Sequence, residues 1–283
     1  MRRLVVLLGL CGCNQVFGLS DTTPIDSLEV VTTCPAIGQN PTYAPILNEA
    51  LMADCYGYIL DSAGEAFAFC QDDTGGSSYF ASGPPAGALT MLAGFTAPAG
   101  SYFTAGLFAQ DAGEVLATVT DISGENTVRI YHPQSAGSWS YAADLALLQY
   151  SSFSAPTSAP GRHIASIDAN GVLHEIAEQS PDVWSDLGTA IQPADLGVAV
   201  FMGPPSLSPD GLRLVVQAAT TPTGAPLTYY SDRPALGAPF RALSPLTGVP
   251  VLDDTSNGNY SIAPDCSRIY FSSNKAVFFA QQD

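Results

Sequence analysis

The chain contains only three histidines, His132, His163 and His174. Histidine is the side chain that most readily exchanges a proton near neutral pH, and it is the commonest ligand of transition metals. A catalytic or metal site needs several such groups together. Because none of the three lies within four residues of another, their spacing predicts no metal site and no cofactor, and we expect ordinary surface or core roles for them.

Two short stretches match site patterns only in part. Ser272-Ser273-Asn274-Lys275 has the SxxK spacing of a serine nucleophile, but that serine needs the start of a helix and companion SDN and KTG elements, which the chain lacks. Residues 253–258 place oxygen-bearing side chains as in a calcium loop, but Pro264 stands where a bidentate Glu is required. We interpret both stretches as turns, so no catalytic or metal-binding residue is predicted.

The N-terminus has the order of an export signal. Arg2 and Arg3 are followed by an apolar segment from Leu4 to Leu10 and then by Cys11-Gly12-Cys13. The apolar segment is too short to span a bilayer. The order resembles the bacterial lipoprotein signal, in which a small residue precedes the lipidated cysteine and a Leu lies three positions before it. Cys13 meets that pattern, whereas Leu10 before Cys11 does not.

The resemblance implies a signal peptide at 1–12, lipidation of Cys13 and a tether at 13–33, followed by one domain at 34–283. Two or more acyl chains on Cys13 would anchor the chain stably, and the membrane would then be its first partner. Gly18, Pro24 and many small polar residues make the tether flexible. A plain secretory signal, or a start placed inside a longer signal, also exports the chain.

Four cysteines remain for disulfides in an oxidising compartment: Cys34, Cys55, Cys70 and Cys266. Three pairings are possible. A hairpin with a two-residue loop at Ser62-Ala63 would set Cys55 directly opposite Cys70, whereas a three-residue loop would put them on opposite faces. We prefer Cys55 with Cys70 and Cys34 with Cys266. Four reduced cysteines are the alternative, and the absence of a CxxC pair argues against zinc.

The elements that position all these residues come from a repeat. Five turn-forming tetrapeptides, each followed by an alternating apolar run, recur at intervals of 48 to 55 residues. They end at Gly64, Gly113, Gly161, Gly211 and Cys266. Repeats of this length built from short strands are typical of β-propellers, in which each repeat is one blade.

The clearest copies carry a family resemblance. Ser208-Pro209-Asp210-Gly211 is followed by Arg213 and an alternating strand, and Ala263-Pro264-Asp265-Cys266 by Arg268 and another. These residues resemble the WD40-like repeats of TolB-type β-propellers. The resemblance implies an all-β fold and no particular activity.

The arrangement of the repeats predicts about five four-stranded blades, with six as the alternative. Trp139, Trp184 and Phe240 begin the fourth strands of three repeats, but the last repeat ends without a fourth strand. Tyr43 to Leu47 is the missing piece, so we expect an N-terminal strand to complete the last blade and close the ring. The Ala- and Leu-rich stretch 141–150 has a helical look, which the repeat overrides.

Composition limits the partners. The chain has 26 acidic and 9 basic residues, a formal net charge of −17. No basic stripe is available to neutralise phosphates, so nucleic acid is not expected as a partner.

Two classes of function remain. The expected one is a lipid-anchored module of the bacterial cell envelope, in the outer membrane or at its periplasmic face, that binds a protein, peptide or glycan. The alternative is a propeller hydrolase or lyase acting on a glycan or peptide. The first strands of the repeats are mainly apolar or small, which disfavours the enzyme.

Overall fold

The computed structural model describes residues 34, 43–45, 55–61, 63–71, 78–84, 88–134, 137–145, 150–158, 161–246, 260–263, 266, 268–273 and 276–281. Within them the chain is almost entirely β-strand, and the helix in this part is one 3-10 turn at Pro193–Leu196. No helix among these residues is long and apolar enough to cross a membrane.

The strands form five antiparallel sheets in the described part of the chain. In chain order they are β1 Tyr43–Pro45, β2 Cys55–Leu60, β3 Ala66–Gln71, β4 Ser78–Gly83, β5 Thr90–Met91, β6 Ser101–Phe108, β7 Val115–Asp121, β8 Asn126–Pro133, β9 Trp139–Leu145, β10 Tyr150–Phe153, β11 His163–Asp168, β12 Leu173–Ser180, β13 Val183–Ile191, β14 Val200–Phe201, β15 Ser206–Leu207, β16 Arg213–Ala219, β17 Leu227–Asp232, β18 Ser244–Pro245, β19 Tyr260–Ile262, β20 Arg268–Ser273 and β21 Ala276–Gln281.

The first three sheets have the orders β2-β3-β4-β5, β6-β7-β8-β9 and β10-β11-β12-β13. The fourth has the order β14-β16-β17-β18, with β15 also paired to β16, and the fifth has the order β19-β20-β21-β1. The N-terminal strand therefore does complete the last sheet, with Tyr43 opposite Ala280 and Pro45 opposite Phe278.

Neighbouring sheets share hydrophobic clusters in a ring, the first packing on the second and so on until the fifth packs on the first. Residues that represent these clusters are, in order, Phe80 with Phe103, Ile130 with Ile164, Leu173 with Leu214, Val215 with Ile269, and Tyr270 with Ala68. The alternation of the strand explains how one sheet serves two clusters, because Leu214 and Val215 point to opposite faces. This is a propeller arrangement.

Of the three aromatic residues expected at the start of fourth strands, two lie in those strands. Strand β9 begins at Trp139 and extends to Leu145, so residues 141–145 are strand and not helix, whereas 146–149 lie outside the described residues, and Trp184 lies in β13. Phe240 is not in a strand, and the fourth strand follows at Ser244–Pro245. The Phe240 ring covers the Arg233 guanidinium at 4.5 Å.

In the first hairpin the cysteines pair as expected, although the loop is longer than predicted. Asp61 bonds back to Glu65, so the loop has three residues rather than the predicted two. That loop alone would put Cys55 and Cys70 out of register, but a bulge between Tyr56 and Ile59 shifts the pairing by one residue. Cys55 therefore lies opposite Cys70 and forms a disulfide with it.

Candidate functional site

Asp, Glu, His, Lys and Arg are absent from the innermost strands of the described part of the chain. Strands β2, β6, β10, β15 and β19 contain only apolar, aromatic, glycine and hydroxyl residues. The buried charges lie instead between neighbouring sheets, at the edge where each second strand begins and each third strand ends. Among the described residues, two such clusters lie against the third sheet, one on each of its faces.

The first cluster lies between the second and third sheets and contains Glu114, His132 and Asp182. Glu114 directly precedes β7, and because Val115 pairs with Tyr131 in β8, His132 lies beside it. Asp182 lies in the turn between β12 and β13 of the next sheet. One donor atom from each residue lies within 4.8 Å of the others. We call these three residues the Glu-His-Asp cluster.

His132 is held at both ring nitrogens. Its Nε2 lies 2.6 Å from Oδ1 of Asp182, and its Nδ1 lies 3.4 Å from the carbonyl oxygen of Gly113. Burial by itself lowers the pKa of His132, but the hydrogen bond and the charge of Asp182 outweigh burial and raise it above the ordinary value. Asp182 has a left-handed backbone, φ 64°, and its N–H is 3.3 Å from Oε1 of Glu178.

Glu114 is completely buried, with a relative exposure of 0%. Neither of its carboxylate oxygens has a hydrogen-bond partner among the described residues. The nearest cation is Arg162, whose Nη1 is 3.7 Å from Oε2. Burial raises the pKa of Glu114 to about 7, although the charge of Arg162 lowers it.

Arg162 contacts several carboxylates at once. Its guanidinium lies 3.1 Å from Asp111 and 3.6 Å from Glu178, besides its contact with Glu114. Gly113 makes room for it, since a Cβ there would lie 2.7 Å from Nη2. Three carboxylates thus share this guanidinium, and a fourth, Asp182, lies against His132, so carboxylates outnumber the basic groups in this region.

Comparing the hairpins explains why a carboxylate is buried here. The N–H of Ala109 donates to the carbonyl of Glu114 just as Ser208 donates to Arg213 and Ala263 to Arg268. Glu114 therefore occupies the place that arginine has in the fourth and fifth sheets. The left-handed turn residue is Ala112, φ 51°, and not Gly113, as aligning the glycines had suggested.

In the second cluster, between the third and fourth sheets, both oxygens of the buried carboxylate are hydrogen-bonded. Both oxygens of Glu175 accept from Arg233, at 2.5 and 2.6 Å, and Arg233 Nε donates to Gly211 at 2.9 Å. His163 Nδ1 is 3.5 Å from Glu175. Burial acts to raise the pKa of Glu175, but the bonds from His163 and Arg233 outweigh it and lower the pKa to about 2.

The three histidines do not come together in one site. His174 lies between Asp168 at 3.5 Å and Asp186 at 3.1 Å, whereas His132 and His163 belong to the two clusters already described. The role of His132 was missed because its partners are 18 and 50 residues away in sequence. A usable signal was Glu114 in the repeat position where the fourth and fifth copies carry Arg213 and Arg268.

The disulfide residues are joined as expected, Cys34 to Cys266 and Cys55 to Cys70. Ser272 and Ser273 end β20 beside a hairpin. The lipidation residue Cys13, the calcium-like stretch 253–258 and Lys275 lie outside the described residues.

No protein-family model and no curated protein matches the chain. Among solved structures it is similar to the GH43_1 enzyme from Xanthomonas citri complexed with xylotriose, at 11% identity and a TM-score of 0.51, over 85% of this chain and 89% of that one. It is also similar to TolB from Acinetobacter baumannii, at 12% identity and a TM-score of 0.46, over 89% of this chain and 66% of that one. At such identities the likeness concerns the fold alone, which is that of a β-propeller.

Proposed function

We propose that the chain is a lipid-anchored β-propeller of the bacterial cell envelope that binds a protein, peptide or glycan. In this proposal Cys13 carries the lipid, residues 14–33 form the tether and the following domain presents the binding surface. Each of the five sheets is one blade, and the N-terminal strand closes the last one.

The chemistry of the innermost strands carries the proposal. In the described residues they contain tyrosine, serine, threonine and phenylalanine and no Asp, Glu, His, Lys or Arg. Aromatic faces and hydroxyl groups bind peptides and sugars by stacking and hydrogen bonding, whereas acid–base catalysis needs ionisable groups at the reacting atoms. Tyr102, at the start of innermost strand β6, is 60% exposed and offers such a face.

An enzyme is the second candidate, and the Glu-His-Asp cluster favours it. A carboxylate and an imidazole within reach of a second carboxylate are the groups that hydrolysis and elimination use. The cluster lies between two sheets rather than on the innermost strands, so a substrate would have to approach at the edge of the propeller.

The anchor is tested first. The full chain is expressed in a diderm bacterium, and wild type is compared with Cys13→Ser after separation of the membranes. We expect wild type in the membrane fraction with covalently bound lipid, and the variant released as a soluble protein. Equal distribution of the two proteins, or no lipid on wild type, would contradict anchoring.

Binding is tested with peptide and glycan arrays and with pull-downs from the native envelope. Tyr102→Ala is compared with Tyr141→Ala, whose ring lies on the outermost strand β9 and is 47% exposed. We expect Tyr102→Ala to weaken binding about tenfold or more, as for an aromatic anchor, and Tyr141→Ala to change it little. Turnover of a glycan or peptide without a stable partner would favour the enzyme instead.

A further inference from the structure

We propose that Glu114, His132 and Asp182 bind one divalent transition-metal ion, with Zn²⁺ as the best match, between the second and third sheets. This proposal is independent of the function proposed above. It rests on the geometry of the donor atoms, the buried state of Glu114, the orientation of His132 and the surplus of negative charge around them.

The donor atoms are close enough to share one ion. Zinc lies about 2.0 to 2.2 Å from nitrogen and carboxylate oxygen ligands, so its ligands are separated by roughly 3 to 4 Å. The three donor atoms lie within 4.8 Å of one another, and His132 Nε2 and Asp182 Oδ1 are already 2.6 Å apart. A small movement of the side chains completes a three-residue site and leaves further positions for water or a ligand.

The burial of the Glu114 carboxylate is a second, independent observation that favours a bound ion. A buried carboxylate normally accepts several hydrogen bonds, and leaving it without any costs stability. Glu114 is 0% exposed, and among the described residues neither oxygen accepts a hydrogen bond. Its carboxylate is nevertheless within reach of His132 and Asp182, so an ion held by all three would satisfy it.

His132 is oriented as a metal ligand. Metal-bound histidines generally donate their second ring N–H to a carbonyl or carboxylate, which fixes the tautomer and turns the other nitrogen to the ion. Nδ1 of His132 faces the carbonyl of Gly113, and Nε2 faces Asp182. A metal ion bound to Nε2 and to Asp182 would take the place of the proton in the hydrogen bond between them.

The charges around the site also favour the binding of a cation. Asp111, Glu114 and Glu178 share the guanidinium of Arg162, and a further carboxylate, Asp182, contacts His132. The fourth sheet has Arg213 where the second has Glu114, so a fixed positive charge of the repeat is replaced by a carboxylate. An imidazole nitrogen with two carboxylates suits zinc or manganese better than calcium, which takes six to eight oxygen ligands.

The test measures metal binding directly. The full chain is made with Cys11→Ser and Cys13→Ser, so that no thiol of the signal binds metal, and is stripped with chelator. Zn²⁺, Mn²⁺ and Ca²⁺ are titrated by calorimetry at pH 7.5, and bound metal is counted by mass spectrometry. We expect one equivalent of Zn²⁺, weaker Mn²⁺ and no Ca²⁺, with a higher melting temperature in Zn²⁺.

Variants in the same background locate the ion. His132→Gln, Glu114→Gln and Asp182→Asn should each weaken Zn²⁺ binding about a hundredfold. His174→Gln is the matched control, because His174 also contacts two carboxylates, Asp168 and Asp186, and should leave binding unchanged. If Glu114→Gln does not fold, Zn²⁺ binding to the His132→Gln and Asp182→Asn variants still tests the proposal, because both positions are partly exposed.

Three results would overturn the proposal. They are less than 0.2 equivalents of tightly bound Zn²⁺, retention of binding in both His132→Gln and Asp182→Asn, and equal loss in His174→Gln. The last two would indicate that Zn²⁺ binds to surface carboxylates or elsewhere. In that case a proton shared by His132 and Asp182, and not a metal, satisfies the pair.

Discussion

A single residue at one place in the repeat decides what kind of charge is buried between two sheets. In the fourth sheet that residue is Arg213, which forms two bonds to Asp232 of the adjacent strand, at 2.7 and 2.9 Å. Its charge is thus neutralised within its own sheet. In the second sheet the residue is Glu114, which must share Arg162 from the third sheet with other carboxylates.

The buried pair of Arg233 and Glu175 makes a direct prediction of stability. Arg233→Met removes the guanidinium that binds both oxygens of the buried Glu175 carboxylate, and we expect a loss of about 3 to 5 kcal/mol in the free energy of unfolding by urea. The double variant Arg233→Met/Glu175→Leu should recover most of the loss, because it leaves no charge behind. As the control, Arg129→Met breaks the exposed pair with Asp144 and should cost about 0 to 1 kcal/mol. A double variant as unstable as the single one would contradict this account.

Glu175 also predicts how stability depends on pH. Its pKa is lowered from 4.5 to about 2 in the folded chain, so its contribution is fully present above pH 4.5 and is lost as the pH falls toward 2. Urea unfolding of wild type and Glu175→Gln is compared at pH 7, 4.5, 3 and 2.5. We expect wild type to be the more stable above pH 4.5 and the difference to shrink below it. A difference that stays constant over this range would mean that the Glu175 carboxylate does not contribute as its charged form.

Among the elements, hairpins and their bulges set which residues face each other. In the first hairpin a bulge compensates for the three-residue loop, so that Cys55 and Cys70 lie opposite each other on the same face. In the second hairpin the left-handed residue is Ala112, which moves Glu114 into the arginine position. A shift of one residue in a loop therefore changes the chemistry at the edge of a sheet.

The two disulfides should stabilise the chain unequally, because they close loops of different length. Cys55–Cys70 spans 15 residues and Cys34–Cys266 spans 232. The chain-entropy model gives about 3 kcal/mol for the short loop and about 5 kcal/mol for the long one. Urea unfolding of Cys55→Ala/Cys70→Ala and Cys34→Ala/Cys266→Ala should show the larger loss in the second variant. The reverse order would show that strain or residual unfolded structure dominates.

At the scale of the whole molecule, the ring of sheets depends on where its first and last strands meet. Each sheet buries both faces against neighbours, and β1 covers the outer edge of β21. Without β1 the backbone groups of β21 would be unpaired on that side, which makes an edge ready to pair with another molecule.

Removing the closing strand should therefore destabilise the ring and promote association. We compare deletion of residues 14–45 with Cys34→Ala/Cys266→Ala, which lacks the same disulfide but keeps β1, and with deletion of residues 14–33, which keeps both. Urea unfolding and light scattering after size exclusion should show the first variant to be the least stable and to form dimers or larger species. If it is as stable and as monomeric as the double alanine variant, β1 does not protect that edge.

The amino-acid sequence alone determined the class of fold and the order of its parts. Proline, aspartate and glycine in the turns and alternating apolar residues after them act over a few neighbours, so the repeats could be recognised from local chemistry. The closing strand followed from the missing fourth strand of the last repeat, whereas counting the cysteines left three pairings open, of which the structure contains the preferred one.

Only the tertiary structure decided which charges meet. Glu114, His132 and Asp182 lie in different hairpins of two sheets, and their proximity depends on the registers of several strands and on how those sheets pack. One bulge or one extra loop residue changes those registers without a clear trace in composition or spacing. Contacts between repeats therefore follow only from how the sheets pack in the ring, whereas the turns within each repeat can be recognised from its own residues.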